Sequence, residues 1–190
     1  MQELYAPYPF DMTVLGVDPG LHVTGYGLIG TTAEALQLIE AGVIRTDDDQ
    51  ESLAHRLVDL HRSLGEILDE FKPGVMAIEQ LYSHYDHPRT AILMGHARGV
   101  LLLAAAERSV EVVSYAATSI KKKVTGSGRA GKEQMQYAVA RELGLAAIPE
   151  PHDAADALAI AICHVRSAGP VHGTGEARYT AVNRRMLEGE

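Results

Sequence analysis

The chain has 190 residues, 46 % of them hydrophobic and 22 % charged, with 17 Lys and Arg against 25 Asp and Glu for a formal net charge of −8. That composition excludes a disordered polymer, and a single cysteine, Cys163, excludes an internal disulfide and points to a reducing compartment. The length suits one domain, and the longest uninterrupted apolar run, residues 100–106, falls far short of the ~20 residues a membrane span needs. The opening MQELYAPYPFDM lacks a basic segment followed by an apolar one, so the expectation is a soluble cytoplasmic protein with no membrane partner.

Residues 1–11 read as a disordered extension ahead of a domain over residues 12–168. Residues 13–17 form an apolar run halted by Asp18-Pro19-Gly20, a strand feeding a turn. Residues 26–29 and 36–44 read as two further strands of an antiparallel meander. Ser52 is placed to cap a helix whose Leu53, Leu57, Leu60, Leu64, Ile67, Leu68 and Phe71 recur at helical spacing, and Lys72-Pro73-Gly74 ends it. Residues 75–78 are a short apolar strand leading into Glu79. A helix over 88–108 and a strand over 110–114 follow. The Lys- and Gly-rich residues 121–131 read as a loop, and helices near 132–143 and 153–166 complete the core. From residue 169 the composition turns polar and Gly-rich without periodicity, the mark of a flexible tail over 169–190. Three strands followed by alternating helix and strand predict an α/β fold, a central mixed sheet flanked by helices.

A negative chain would be repelled by a polyanion at long range, but the charge is unevenly placed. No acid stands between Glu111 and Glu133, where Lys121, Lys122, Lys123, Arg129 and Lys132 supply five positive charges. Acids bunch elsewhere, as in Asp47, Asp48, Asp49 and Glu51. Lysines act on phosphates as point charges without reading sequence, so a nucleic-acid partner stays open.

Four acids adjoin apolar elements. Asp18 and Glu79 each stand at the end of an apolar strand, where ligands gather in α/β sheets. Asp153 and Asp156 are three residues apart, hence on one face of a helix that is otherwise almost wholly apolar. A turn-starting Asp or a helix-dipole Asp accounts for one such residue. Four on three separated segments have one economical joint explanation, convergence on divalent cations that favour oxygen, such as Mg²⁺. Without metal the cluster would repel itself; with two ions about 4 Å apart it is equipped for phosphodiester hydrolysis.

The segments VLGVDPGLHVTGYGLI, AIEQLY and DAADALAIAICH resemble, in order and at compatible spacing, the three signature segments of the RuvC family of Holliday-junction resolvases. The resemblance runs from Thr13 to His164 and includes YAATSIKKKVTGSG and Lys132. It implies an RNase H-like fold, a two-fold homodimer, and Mg²⁺- or Mn²⁺-dependent cutting of four-way DNA junctions with two ions per site. By motif position the catalytic, metal-holding acids are Asp18, Glu79, Asp153 and Asp156. Some members carry His at the third acid; here Asp153 stands there, with His152 just before it. DNA contacts are implied at Lys121 and Lys132. Tyr82 occupies a place where many relatives have Phe, and an aromatic ring there is suited to stack on an unpaired base. Products with 5′-phosphate and 3′-hydroxyl ends, and coupling to the branch-migration motor of RuvA and RuvB, are implied as well.

Two motifs are decoys. Residues 126–133, GSGRAGKE, nearly spell a P-loop, but Glu133 puts a negative charge where a Mg²⁺-binding hydroxyl belongs. His84 and His87 lack the second Cys/His pair of a structural zinc site. Competing functions are another RNase H-like nuclease acting on RNA–DNA hybrids or other branched DNA, an actin-like ATP-binding protein, for which the chain is short, and a junction binder with a dead site. The helix over 88–108, with Ile92, Leu93, Val100 and Leu103, is the candidate dimer face.

Overall fold

In the computed structural model, which describes residues 10–46, 52–81 and 88–168, the chain opens with three antiparallel strands, β1 (Met12–Asp18), β2 (Val23–Thr31) and β3 (Leu36–Arg45). Helix α1 (Leu53–Phe71) follows, and then β4 (Val75–Glu79), α2 (Pro88–Glu107) and β5 (Glu111–Tyr115). Three helices close the fold: α3 (Ala117–Thr125), α4 (Lys132–Glu142) and α5 (His152–Ala168). The sheet order is β3-β2-β1-β4-β5. β1, β2 and β3 pair antiparallel, whereas β4 runs parallel to both β1 and β5. The expected mixed sheet with flanking helices is therefore what forms.

Strand alternation sends successive side chains to opposite faces, and each face builds its own core. Leu15, Val17, Met76 and Ile78 pack with Leu60, Leu64, Leu101 and Ala105 on the side of α1 and α2. Val14, Val75 and Ala77 pack with Ile120, Val139, Leu158 and Ile162 on the side of α3, α4 and α5. α1 starts as its sequence predicts, with Ser52 Oγ accepting the His55 N–H at 3.3 Å.

α5 lies directly on the sheet because glycines leave it room. A β-carbon on Gly16 would overlap the Ala157 carbonyl oxygen, and one on Gly25 would overlap the carbonyl of Asp153. This close approach explains why α5 is buried along almost its whole length, from Ala154 to His164.

One predicted element is corrected. Residues 121–131 do not form a single loop: Lys121 to Thr125 belong to α3, which ends at Gly126 in the left-handed region (φ 83°). A run of lysines is compatible with helix, and Ile120 and Val124 supply the buried stripe. β2 also exceeds its expected span, because Gly25, Gly27 and Gly30 hide a strand whose pairing with β1 is continuous. At the other end of β1, the Asp11 N–H donates to the Thr31 carbonyl at 2.8 Å. By length and composition α2 could cross a membrane. Its Ala97, Leu101, Ala104 and Ala105 are instead packed in the core. Tyr82, His84, His87, residues 1–9 and the tail over 169–190 lie outside the described residues.

Candidate active site

Sheet register brings the first two acids side by side. Val17 pairs with Ile78 across the parallel β1–β4 ladder, so Asp18 and Glu79 are the next residues on neighbouring strands. Val17 and Ile78 point to the α1/α2 face. Alternation therefore turns Asp18 and Glu79 to the opposite face, towards α5. Asp18 also pairs with Gly25 of β2, and Gly25 is the residue on which the Asp153 backbone rests. The start of α5 is thereby laid beside the end of β1, with Asp153 and Asp156 three residues apart on its first turns.

The turn after Asp18 is held firmly. Gly20 N–H donates to Thr24 Oγ1 at 3.2 Å, and that hydroxyl donates back to the Gly20 carbonyl at 2.6 Å. The Leu21 carbonyl accepts from Arg56 Nη2 at 3.2 Å and from the Thr46 hydroxyl. A strand end followed by such a turn has its backbone, and with it the direction of the Asp18 Cα–Cβ bond, held in place.

The electrostatics couple the acids to one another. Burial pushes the Asp18 carboxyl from its ordinary 3.8 up to about 7, and the charges of Glu79, Asp156 and Asp153 add to the rise. Lys132 opposes it. Glu79 is raised by burial and by Asp156, with Lys121 pulling the other way. Asp156 is raised chiefly by burial and also by Asp153, against Lys132, His152 and Lys121. Asp18, Glu79 and Asp156 each feel the charge of at least one other acid, and the charge of Asp153 reaches Asp18 and Asp156. Among the described residues no three acids already stand at ligating distance. An all-oxygen, self-repelling donor set is the chemistry that suits Mg²⁺ or Mn²⁺.

Of the candidate basic residues, Lys121 and Lys132 are the two whose charges act on these acids. Lys122 and Arg129 are exposed on the surface. Lys123 Nζ instead donates to the Arg166 carbonyl at 3.4 Å, near the far end of α5. The near P-loop is split between the end of α3 and the start of α4 rather than following a strand, and the Gly131 N–H is taken by Gln134 Oε1 at 3.1 Å.

Two features escaped sequence reasoning. The buried amide of Gln136 on α4 is hydrogen-bonded to His152 Nδ1 at 2.6 Å, tying α4 to the start of α5. Arg98 of α2 reaches the Glu79 carbonyl and the Ser114 hydroxyl. A lone Gln or Arg inside a helix carries no motif, and only the tertiary contact distinguishes it. The glycine spacing in GVDPG and TGYGLIG was the readable sign of a helix pressed onto the strands.

The family model of the crossover junction endodeoxyribonuclease RuvC matches residues 14–164. The crossover junction endodeoxyribonuclease RuvC of Rhodopirellula baltica is 50 % identical over 159 residues, 83 % of this chain and 89 % of that protein. That of Legionella pneumophila (strain Lens) is 45 % identical over 151 residues, 80 % of this chain and 85 % of its own. Among solved structures, Thermus thermophilus RuvC in complex with Holliday junction substrate superposes with a TM-score of 0.77 at 34 % identity, covering 83 % of this chain and 94 % of that one. The yeast mitochondrial Holliday junction resolvase Ydc2, with a TM-score of 0.62 at 15 % identity over 85 % of this chain and 81 % of that one, shares the fold. That fold is RNase H-like, as the signature segments implied.

Proposed function

The chain belongs to the RuvC family of crossover junction endodeoxyribonucleases, and from that premise we propose that it resolves four-way DNA junctions through a cation centre held by Asp18, Glu79, Asp153 and Asp156. The observation that carries the site is the Asp18 carboxyl, raised to about 7 by burial and by the three other acids around it. A pocket so hostile to its own charges is stabilised by whatever neutralises them, and a divalent cation does so without a proton. Two such ions, Mg²⁺ or Mn²⁺, fit four carboxylates on three segments. When bound, they supply an activated water and charge stabilisation for the leaving oxygen of an in-line phosphodiester displacement.

The chain's own residues do the rest. Asp18 and Glu79, fixed at adjacent strand ends, present oxygens from the sheet, while Asp153 and Asp156 present theirs from the helix above. Lys121 and Lys132 set positive charge beside the acids, where DNA phosphates arrive, and Lys122, Lys123 and Arg129 widen the basic margin. Tyr82, three residues beyond Glu79 in the sequence, carries an aromatic ring of the kind that stacks on an unpaired base at a crossover. Ile92 (62 % exposed) and Leu103 (53 % exposed) on α2 leave an apolar face uncovered among the described residues, beside Gly95 and Gly99. That face pairs two copies about a two-fold axis, so that opposed strands are nicked symmetrically to leave 5′-phosphate and 3′-hydroxyl ends. Family membership supports coupling to a RuvA–RuvB motor and a cytoplasmic location.

The test is a synthetic immobile junction incubated with purified protein in Mg²⁺, in Mn²⁺ and in chelator, with linear duplex and RNA–DNA hybrid as competitors. Paired symmetric nicks in the junction, with metal only, are expected. Cutting in chelator, or preferential loss of the hybrid, contradicts the proposal.

A further inference from the structure

Arg98 stands midway along α2, one residue before the exposed Gly99, yet its guanidinium turns inward beneath the ends of β4 and β5. Its Nε donates to the Glu79 carbonyl at 3.3 Å and its Nη2 to Ser114 Oγ at 2.6 Å. Among the described residues it enters no ion pair with a carboxylate. A cation held half-buried without a carboxylate costs stability, which makes the two contacts it does form informative.

Those contacts fall where β4 ends. Glu79 is its last residue, and the next N–H, that of Gln80, donates to the Tyr115 carbonyl at 2.9 Å. The backbone around Glu79 is thus gripped by β5 through Gln80 and by α2 through Arg98. The Glu79 side chain emerges on the other face of the sheet, towards α5. Fixing that peptide fixes the direction of the Glu79 Cα–Cβ bond. We infer that Arg98 is a positioning residue for Glu79, holding the strand end from beneath so that the carboxyl above is aimed into the acid pocket. The parallel Nε and Nη2 donors of a guanidinium span two strands at once, which a single ammonium does not. The inference rests on the reading of Glu79 as a cation ligand.

A double-mutant cycle in the full chain tests it, using Arg98→Lys, Glu79→Gln and the pair. Mn²⁺ binding to the metal-free proteins is measured by calorimetry, with the thermal midpoint in chelator and junction binding in chelator as controls. Arg98→Lys is expected to weaken Mn²⁺ binding about tenfold, the lower end of what loss of an outer partner costs a metal site. Junction binding in chelator should stay unchanged, and Arg98→Lys should add no further loss once Glu79→Gln is present. Should Arg98→Lys not fold, Ser114→Ala frees one arm of the fork and enters the same cycle, with an expected loss of about threefold, near the net value of one hydrogen bond. Undiminished Mn²⁺ affinity in Arg98→Lys, or an equal loss with and without Glu79, overturns the inference. If Glu79→Gln itself binds Mn²⁺ as tightly as wild type, the ligand role of Glu79 fails first, and the positioning role falls with it.

Discussion

Asp18 concentrates the physics of the site. Its carboxyl titrates near 7 in the folded protein against an ordinary 3.8, so between those values the native state keeps a proton that the unfolded chain has released. The contribution of Asp18 to metal-free stability is then fully present below about pH 4, is lost as the pH rises, and levels off above about 7; the ceiling of that loss is roughly 4 kcal/mol. Asp18→Asn removes the charge and keeps the shape. In chelator at pH 8 it should raise the unfolding free energy by about 2 kcal/mol, and by little at pH 4, as read by thermal or denaturant unfolding. The same variant should still bind a four-way junction while its cutting falls beyond the roughly 100-fold that loss of a mere outer partner costs. A variant that gains stability and loses activity is a functional residue; one that loses both is a structural one.

At the scale of elements, the decisive contact is α5 on the glycines of β1 and β2. Gly16→Ala places a methyl against the Ala157 carbonyl, and overpacking of this kind costs about 1–3 kcal/mol or more. Because the helix must lift to relieve it, cutting should drop more steeply than the thermal midpoint does; equal activity at a lowered midpoint would show that the helix start is not held by this contact. The sequence made the four acids, their strand-end and helix-start positions and the α1 cap legible, because apolar periodicity and turn chemistry act locally. It concealed the helical state of Lys121 to Thr125, since a lysine run beside glycines resembles a loop until Ile120 and Val124 find a core to enter. It concealed Arg98 and the Gln136–His152 bond for a different reason: both are contacts between elements distant in sequence, and neither leaves a local pattern.

For the molecule as a whole, two expectations remain to be measured. Leu103, 53 % exposed on α2, belongs to the face proposed to join two copies, so Leu103→Asp should shift sedimentation from dimer to monomer and abolish paired nicking; an unshifted dimer would place the interface elsewhere. The central claim is that acids from β1, β4 and α5 share cations in one pocket. Calorimetric titration of Mn²⁺ into the metal-free protein at pH 6.5, repeated in two buffers of different ionisation enthalpy, tests it most directly. The site predicts binding that releases protons, because Asp18 is partly protonated at that pH, with both the affinity and the proton release sharply reduced in Asp18→Asn. Binding of equal strength in wild type and Asp18→Asn, with no proton released by either, would contradict it.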